Sequence, residues 1–207
     1  SKSGVSYAEL LKHKETWALC AAKFLTDPIW WFFLYWLPKF LNTNHGITLS
    51  GVGAPLVTIY IMATLGSITG GYASSWLVGK GWNAPKARIS SMFVFAMMIV
   101  PIFFASQTSN LWVAVFIIGI AAAAHQGWSA NLFTLISDLY PKNAVGSMTG
   151  LAGMSGAIGG MLIASAIGFL LQATGSYVPV FALAASAYLL AWVLVRLIIR
   201  RLEALVF

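Results

Sequence analysis

The chain reads as an all-α integral membrane protein, a six-transmembrane-helix bundle, and three observations predict it. Of its 207 residues, 59% are hydrophobic and only 8% charged, with a mean hydropathy of +0.83. A soluble domain needs roughly a quarter of its residues charged to coat its surface. Six apolar segments follow one another, each long enough to cross about 30 Å of hydrocarbon. Ten of the 12 lysines and arginines then fall on one side of the membrane that this segmentation draws.

Residues 1–15, SKSGVSYAELLKHKE, are polar with scattered apolar positions, as expected of a cytoplasmic linker or a short helix on the membrane surface. Residues 16–207 form the six-helix domain, with spans at about 17–41, 52–78, 89–106, 111–136, 145–171 and 178–199. Turn chemistry separates them at Asn42 to Gly46, Gly79 to Pro85, Gln107 to Asn110, Pro141 to Asn143 and Gly175 to Ser176. In lipid every backbone polar group must be satisfied within its own segment, so spans of this length are helices. No secretory signal is visible in residues 1–16, and the opening at Ser1 rather than methionine fits a fragment or a processed chain.

Orientation follows from charge. Lys2, Lys12, Lys14, Lys80, Lys86, Arg88, Lys142, Arg196, Arg200 and Arg201 share the side of both termini, whereas Lys39 is opposite and Lys23 is within the membrane. The positive side is the cytoplasmic one, so both termini are expected there. The net charge of +7 is then an orientation signal. It lacks the basic patch interleaved with aromatics that a nucleic-acid partner would need.

The first span, AKFLTDPIWWFFLYWLPKFL, carries Lys23, Asp27 and an internal proline. Lys23 and Asp27 are spaced i,i+4 and so share one face of a helix. Counted from Trp17, Lys23 lies about 9 Å and Asp27 about 15 Å into the bilayer. Lys23 can snorkel outward from that depth; Asp27 cannot. An intramembrane charge costs about 2.5–3.5 kcal/mol, which marks the pair as a functional site facing a partner or a watery cavity.

The fourth span supplies a second polar group. At helical spacing His125, Trp128 and Ser129 fall within an arc of about 100°, Asn131 lies just beyond Trp128, and Gln126 lies on the far side of Ser129. Polar side chains at this depth point to a cavity lining. Small residues recur at helix-packing intervals: Gly66 and Gly70 in the second span, Gly146 and Gly150, then Gly156 and Gly160 in the fifth. Such spacing allows close backbone approach and serves static packing or sliding equally.

Several chemistries are absent. The three histidines, His13, His45 and His125, are far apart, and no HExxH, CxxC or Walker-type sequence occurs, so neither a metal nor a bound cofactor is expected. Cys20 is the single cysteine and can form no disulfide within the chain. Ser129 and His125 are one turn apart but lack any recognisable oxyanion donor, so an enzyme is not expected.

Three stretches carry a family resemblance: KFLTDPIWWFFLYWLPKFL in the first span, GGYASSWLVGKGWNAPKAR at the second cytoplasmic loop, and HQGWSANLFTLISDLYPKNAVGSMTG across the fourth and fifth. Together with the span order, the chain resembles the C-terminal half of a twelve-helix major facilitator superfamily transporter, in the anion:cation symporter branch near the bacterial hexuronate transporters. The resemblance implies a bacterial inner-membrane protein, a small anionic substrate such as a sugar acid, a proton as coupling ion, and a partner in the missing N-terminal six-helix half or a second copy. It implies substrate contacts at Lys23 and at Trp128 with His125 beside it; the chemistry of the residues themselves adds Gln126 and Asn131 as hydroxyl contacts and Asp27 as the group that holds Lys23 or titrates during the cycle. Gly71, Lys80, Lys86 and Arg88 match a cytoplasmic loop motif, but Ser75 stands where related sequences often have an acid. A salt-bridge latch there is left without its carboxylate. The alternative is a membrane packing or assembly module with no transport of its own.

Overall fold

The computed structural model describes residues 5–48, 50–200 and 202–205, so Lys2 and Arg201 of the basic side lie outside the described residues. The helices are α1 (Tyr7–Leu10), α2 (Lys14–Tyr35), α3 (Leu37–His45), α4 (Gly53–Gly79), α5 (Ala84–Ile99), α6 (Leu111–Leu139), α7 (Lys142–Thr174) and α8 (Val178–Ile198), with a 3-10 stretch, Val100–Ser106, continuing α5. Among the described residues five segments are long and apolar enough to cross a membrane: α4, α5 with its 3-10 extension, α6, α7 and α8. The sixth segment, α2 with α3, is the one interrupted by charge.

The expected first span, 17–41, is corrected in three ways. It begins earlier, at Lys14; it breaks at Trp36; and it resumes as α3 through the stretch Asn42 to His45, which had read as a turn. Pro38 causes the break, because a residue without an N–H cannot bond back to Leu34. The helix finally stops at Gly46, whose φ of 66° is a left-handed cap that a side chain would resist. Elsewhere the boundaries move by a few residues: α5 opens at Asn83, which accepts from the Lys86 N–H, and α6 opens at Asn110, which accepts from Trp112 and Val113. In residues 1–15 the short α1 packs inward, since Leu10 is fully buried.

The packing has an internal symmetry. Number the six long segments in order: α2 packs chiefly on α7 and α8, as α6 packs on α4 and α5, while α5 meets α8. Exchanging segments one, two and three for four, five and six maps this pattern onto itself, as an inverted repeat of three helices would. The glycines follow the same rule. A Cβ at Gly66 or Gly70 of α4 would fall on the α6 backbone at Ala123 or Gly127. A Cβ at Gly156, Gly159 or Gly160 of α7 would fall on Asp27, the Phe24 carbonyl or the Trp31 ring of α2. Pro28 leaves that Phe24 carbonyl without its helical donor, and Gly159 lets α7 close over it. Gly146 and Gly150, by contrast, meet no backbone, so that small-residue pair does not pack helices within the described residues.

The first and last described segments meet the basic turns at one end of the bundle. Tyr140 donates to Thr16 Oγ1 at 2.8 Å, because the Thr16 hydrogen is given to the Leu10 carbonyl at 2.7 Å. Burial pushes the Tyr140 phenol up to about 12, which keeps it a donor. The Leu205 N–H donates to Leu139 at 2.8 Å, and Asn83 Nδ2 to the Leu202 carbonyl at 3.3 Å. The outward faces of the long helices are apolar, with Ile68, Met161 and Phe169 among the exposed side chains. A protein in water would bury such side chains; one in a bilayer need not.

Candidate functional site

Lys23 and Asp27 do pair: Nζ lies 2.8 Å from Asp27 Oδ2, with 6% and 17% of their side chains exposed. The ammonium also sits over the Phe133 ring of α6, 4.4 Å from its centroid. On the far side of the carboxylate is Gly156, where any side chain would collide with Oδ2. The pair is therefore held between two helices that the sequence alone could not place beside it.

His125 joins this pair through a residue not foreseen. Tyr188 of α8 donates its hydroxyl hydrogen to the Thr26 carbonyl at 3.1 Å and lies 2.5 Å from His125 Nδ1. A phenol has one hydrogen, so His125 Nδ1–H is the donor of the second bond. Nε2 is left as the acceptor of a neutral ring. The imidazole also stacks on Trp30 of α2, at 5.2 Å and 6° between planes, and Tyr60 of α4 meets Trp30 edge-on at 6.3 Å. Trp30 lies seven residues after Lys23 and so on the same helix face, about 10 Å along the axis. That spacing was the signal for Trp30. For Tyr188 the signal was a lone phenol in an apolar span.

The other expected contacts divide. Gln126 is half-buried on α6. Trp128 is completely buried, its ring edge-on to Tyr188 at 5.5 Å, with Nε1 unpartnered. Asn131 is also fully buried and donates to the carbonyls of Gly70 at 2.9 Å and Gly127 at 2.8 Å. One amide hydrogen thus ties α6 to α4 at Gly70 while the other bonds back within α6 at Gly127, and only Oδ1, which has no partner, is left to meet anything else. In this conformation the aromatic ring beside His125 that is not fully buried is Trp30.

At the basic end, the missing acid is corrected. Arg88 Nε donates to Asp138 Oδ2 at 3.2 Å, while Nη1 reaches Ser74 Oγ at 2.6 Å and Ser75 Oγ at 3.3 Å. The last turn of α6 therefore supplies the carboxylate that position 75 lacks, tying α4, α5 and α6 together. Gly71 faces open space, and Lys80 and Lys86 lie exposed near the rings of Trp76 and Trp82. No group of three or more His, Cys, Asp or Glu able to hold a metal occurs among the described residues.

Comparison with known proteins bears on this geometry. The hexuronate transporter of Escherichia coli (strain K12) is 29% identical over 185 residues, covering 87% of this chain and 42% of that protein. The D-galactonate transporter of Escherichia coli O6:H1 is 25% identical over 167 residues, covering 81% of this chain and 39% of that protein. The chain thus spans less than half the length of these relatives. The family profile described as Major Facilitator Superfamily matches residues 2–164. Six long helical segments with the packing of an inverted repeat, buried charge in the first of them and this match together establish that the chain belongs to the major facilitator superfamily, a family of membrane transporters and not of enzymes.

Proposed function

We propose that the chain is the C-terminal half of a proton-coupled symporter that carries a hexuronate or related sugar acid across the bacterial inner membrane by alternating access, with both termini in the cytoplasm. The observation that carries the proposal is the buried Lys23–Asp27 pair, joined through Thr26 and Tyr188 to the His125–Trp30 stack. The names of the relatives, transporters of hexuronate and galactonate, support the substrate class.

A sugar acid presents one carboxylate and several hydroxyls, so it needs a cation, hydrogen-bonding groups of both kinds and an apolar wall. Lys23 is the cation, Trp30 the wall, and His125 Nε2 accepts from a hydroxyl, with Gln126 half-exposed beside it. A substrate carboxylate that displaces Asp27 from Lys23 leaves Asp27 alone in a medium that penalises unpaired charge. Taking up a proton neutralises it, which couples one proton to each anion. Trp128 and Asn131 act from behind, holding Tyr188 and the α4–α6 contact in place.

The relatives' greater length implies a partner, the N-terminal six-helix half, or failing that a second copy. The test is uptake of labelled glucuronate in proteoliposomes by the full-length protein that carries this chain. Uptake should require an inward proton gradient and should fall at least tenfold in Lys23→Ala and Trp30→Ala. Uptake that is indifferent to the gradient, or unaffected in both variants, refutes the assignment.

A further inference from the structure

Two cavities lie along the α2–α8 side of the bundle, the deeper one bordered by α7 as well. At the basic end a cavity of about 380 Å3 is lined by Lys14, Trp17, Leu197, Ile198 and Arg200. Deeper in the span an apolar cavity of about 330 Å3 is lined by residues including Phe24, Pro28, Gly159, Leu183, Ser186 and Leu190. Trp17, Phe24 and Pro28 are spaced i, i+7 and i+11 on α2, and Leu197, Leu190 and Leu183 are spaced by sevens on α8. Each set occupies one helix face, so the two cavities are aligned one above the other along the same faces of α2 and α8.

The chemistry changes from one cavity to the next. The outer section holds two cations, and among the described residues neither Lys14 nor Arg200 has a carboxylate within ion-pair distance. Arg200 donates Nε to the Leu197 carbonyl at 3.1 Å, which leaves the outer guanidinium nitrogens for another acceptor. The Trp17 indole donates to the Leu11 carbonyl at 2.9 Å, which fixes an amphipathic ring at the mouth while more than half of it remains exposed. The inner section is almost wholly aliphatic and exists because Pro28 and Gly159 leave no bulk there. From Trp17 to Pro28 is about 16 Å along the helix, the depth of one leaflet.

We infer that this side of the bundle is a binding site for an anionic phospholipid. The phosphate would sit between Lys14 and Arg200 beside Trp17, and one acyl chain would run along these faces of α2 and α8 into the cavity at Pro28. Two unpaired cations at a membrane surface above an acyl-sized apolar slot complement such a lipid in both charge and shape. A soluble phosphate would use the outer section only. The site lies on the face of α2 next to the one that carries Lys23 and Asp27, about 100° around the helix, so the bound lipid would also support that helix.

Native mass spectrometry of the full-length protein, purified in detergent and supplied with equal phosphatidylglycerol and phosphatidylcholine, tests this. The wild type should retain phosphatidylglycerol preferentially. Lys14→Ala/Arg200→Ala should lower that retention about 25-fold, taking roughly fivefold for each cation at the surface. Lys80→Ala/Lys142→Ala removes the same charge elsewhere and should change little. Ser186→Trp fills the inner section and should also displace the lipid, whereas excess glycerol phosphate should not. Thermal melting of each variant verifies folding. Equal retention of the two lipids by the wild type, as for a surface covered by another chain, overturns the inference. So does undiminished retention in Ser186→Trp, or competition by glycerol phosphate.

Discussion

Replacing Asp27 by Asn preserves the shape of the side chain and removes its charge, leaving the Lys23 ammonium with Phe133 as its neighbour. The Lys23 side chain is 6% exposed, so water replaces little of what is lost. Removing one member of a buried pair costs about 3–5 kcal/mol, whereas replacing both with apolar groups of similar volume is often neutral. Asp27, at 17% exposed, places the expected loss at the lower bound, about 3 kcal/mol. Lys23→Met should cost a similar amount, since it strands the carboxylate, and the double variant Lys23→Met/Asp27→Leu should regain most of it. Denaturant unfolding of the purified protein in micelles gives all three values and their coupling. Single variants within about 0.5 kcal/mol of wild type, or additive losses in the double variant, would refute the claim that these two groups neutralise each other in a dry environment.

The remaining predictions concern the supports of the site. Gly156→Ala should drive α7 from Asp27 and abolish uptake, while Gly153→Ala, which meets open space, should leave uptake unchanged. Gly70→Ala should lower the melting temperature strongly because its Cβ falls on Gly127, and Gly71→Ala should not. Tyr188→Phe strands the His125 Nδ1–H and should destabilise by about 1–3 kcal/mol, read by denaturant unfolding. Asp138→Ala should loosen the basic end, measured as faster proteolysis of the α6–α7 turn, and Ser75→Asp should restore resistance because Arg88 already reaches that position.

Much of this was legible because lipid leaves a chain few options. Runs of apolar residues had to be helices, and their order, ends and charge asymmetry followed from Gly175, Asn110 and the basic turns. The i,i+4 spacing of Lys23 and Asp27 was enough to predict their contact, since both residues are on one helix. What spacing could not supply was which helix faces which. Asn131 and Trp128 read as cavity lining because they are polar at mid-span, yet a buried amide can equally be satisfied by neighbouring backbone, and Gly70 offers its carbonyl. Tyr188 and Asp138 reach their partners across 63 and 50 residues of sequence. No local pattern encodes such pairings. The break at Trp36 was legible in principle, from Pro38, but the uninterrupted aromatic run masked it.

The central claim is that the polar cluster on α2 receives the carboxylate of a sugar acid, and equilibrium binding tests it most directly. Isothermal titration of glucuronate into the purified full-length protein should show saturable binding in the wild type and none in Lys23→Met/Asp27→Leu, a variant that removes both charges at similar side-chain volume and whose folding is verified by thermal melting. Wild-type affinity in that folded variant would contradict the account.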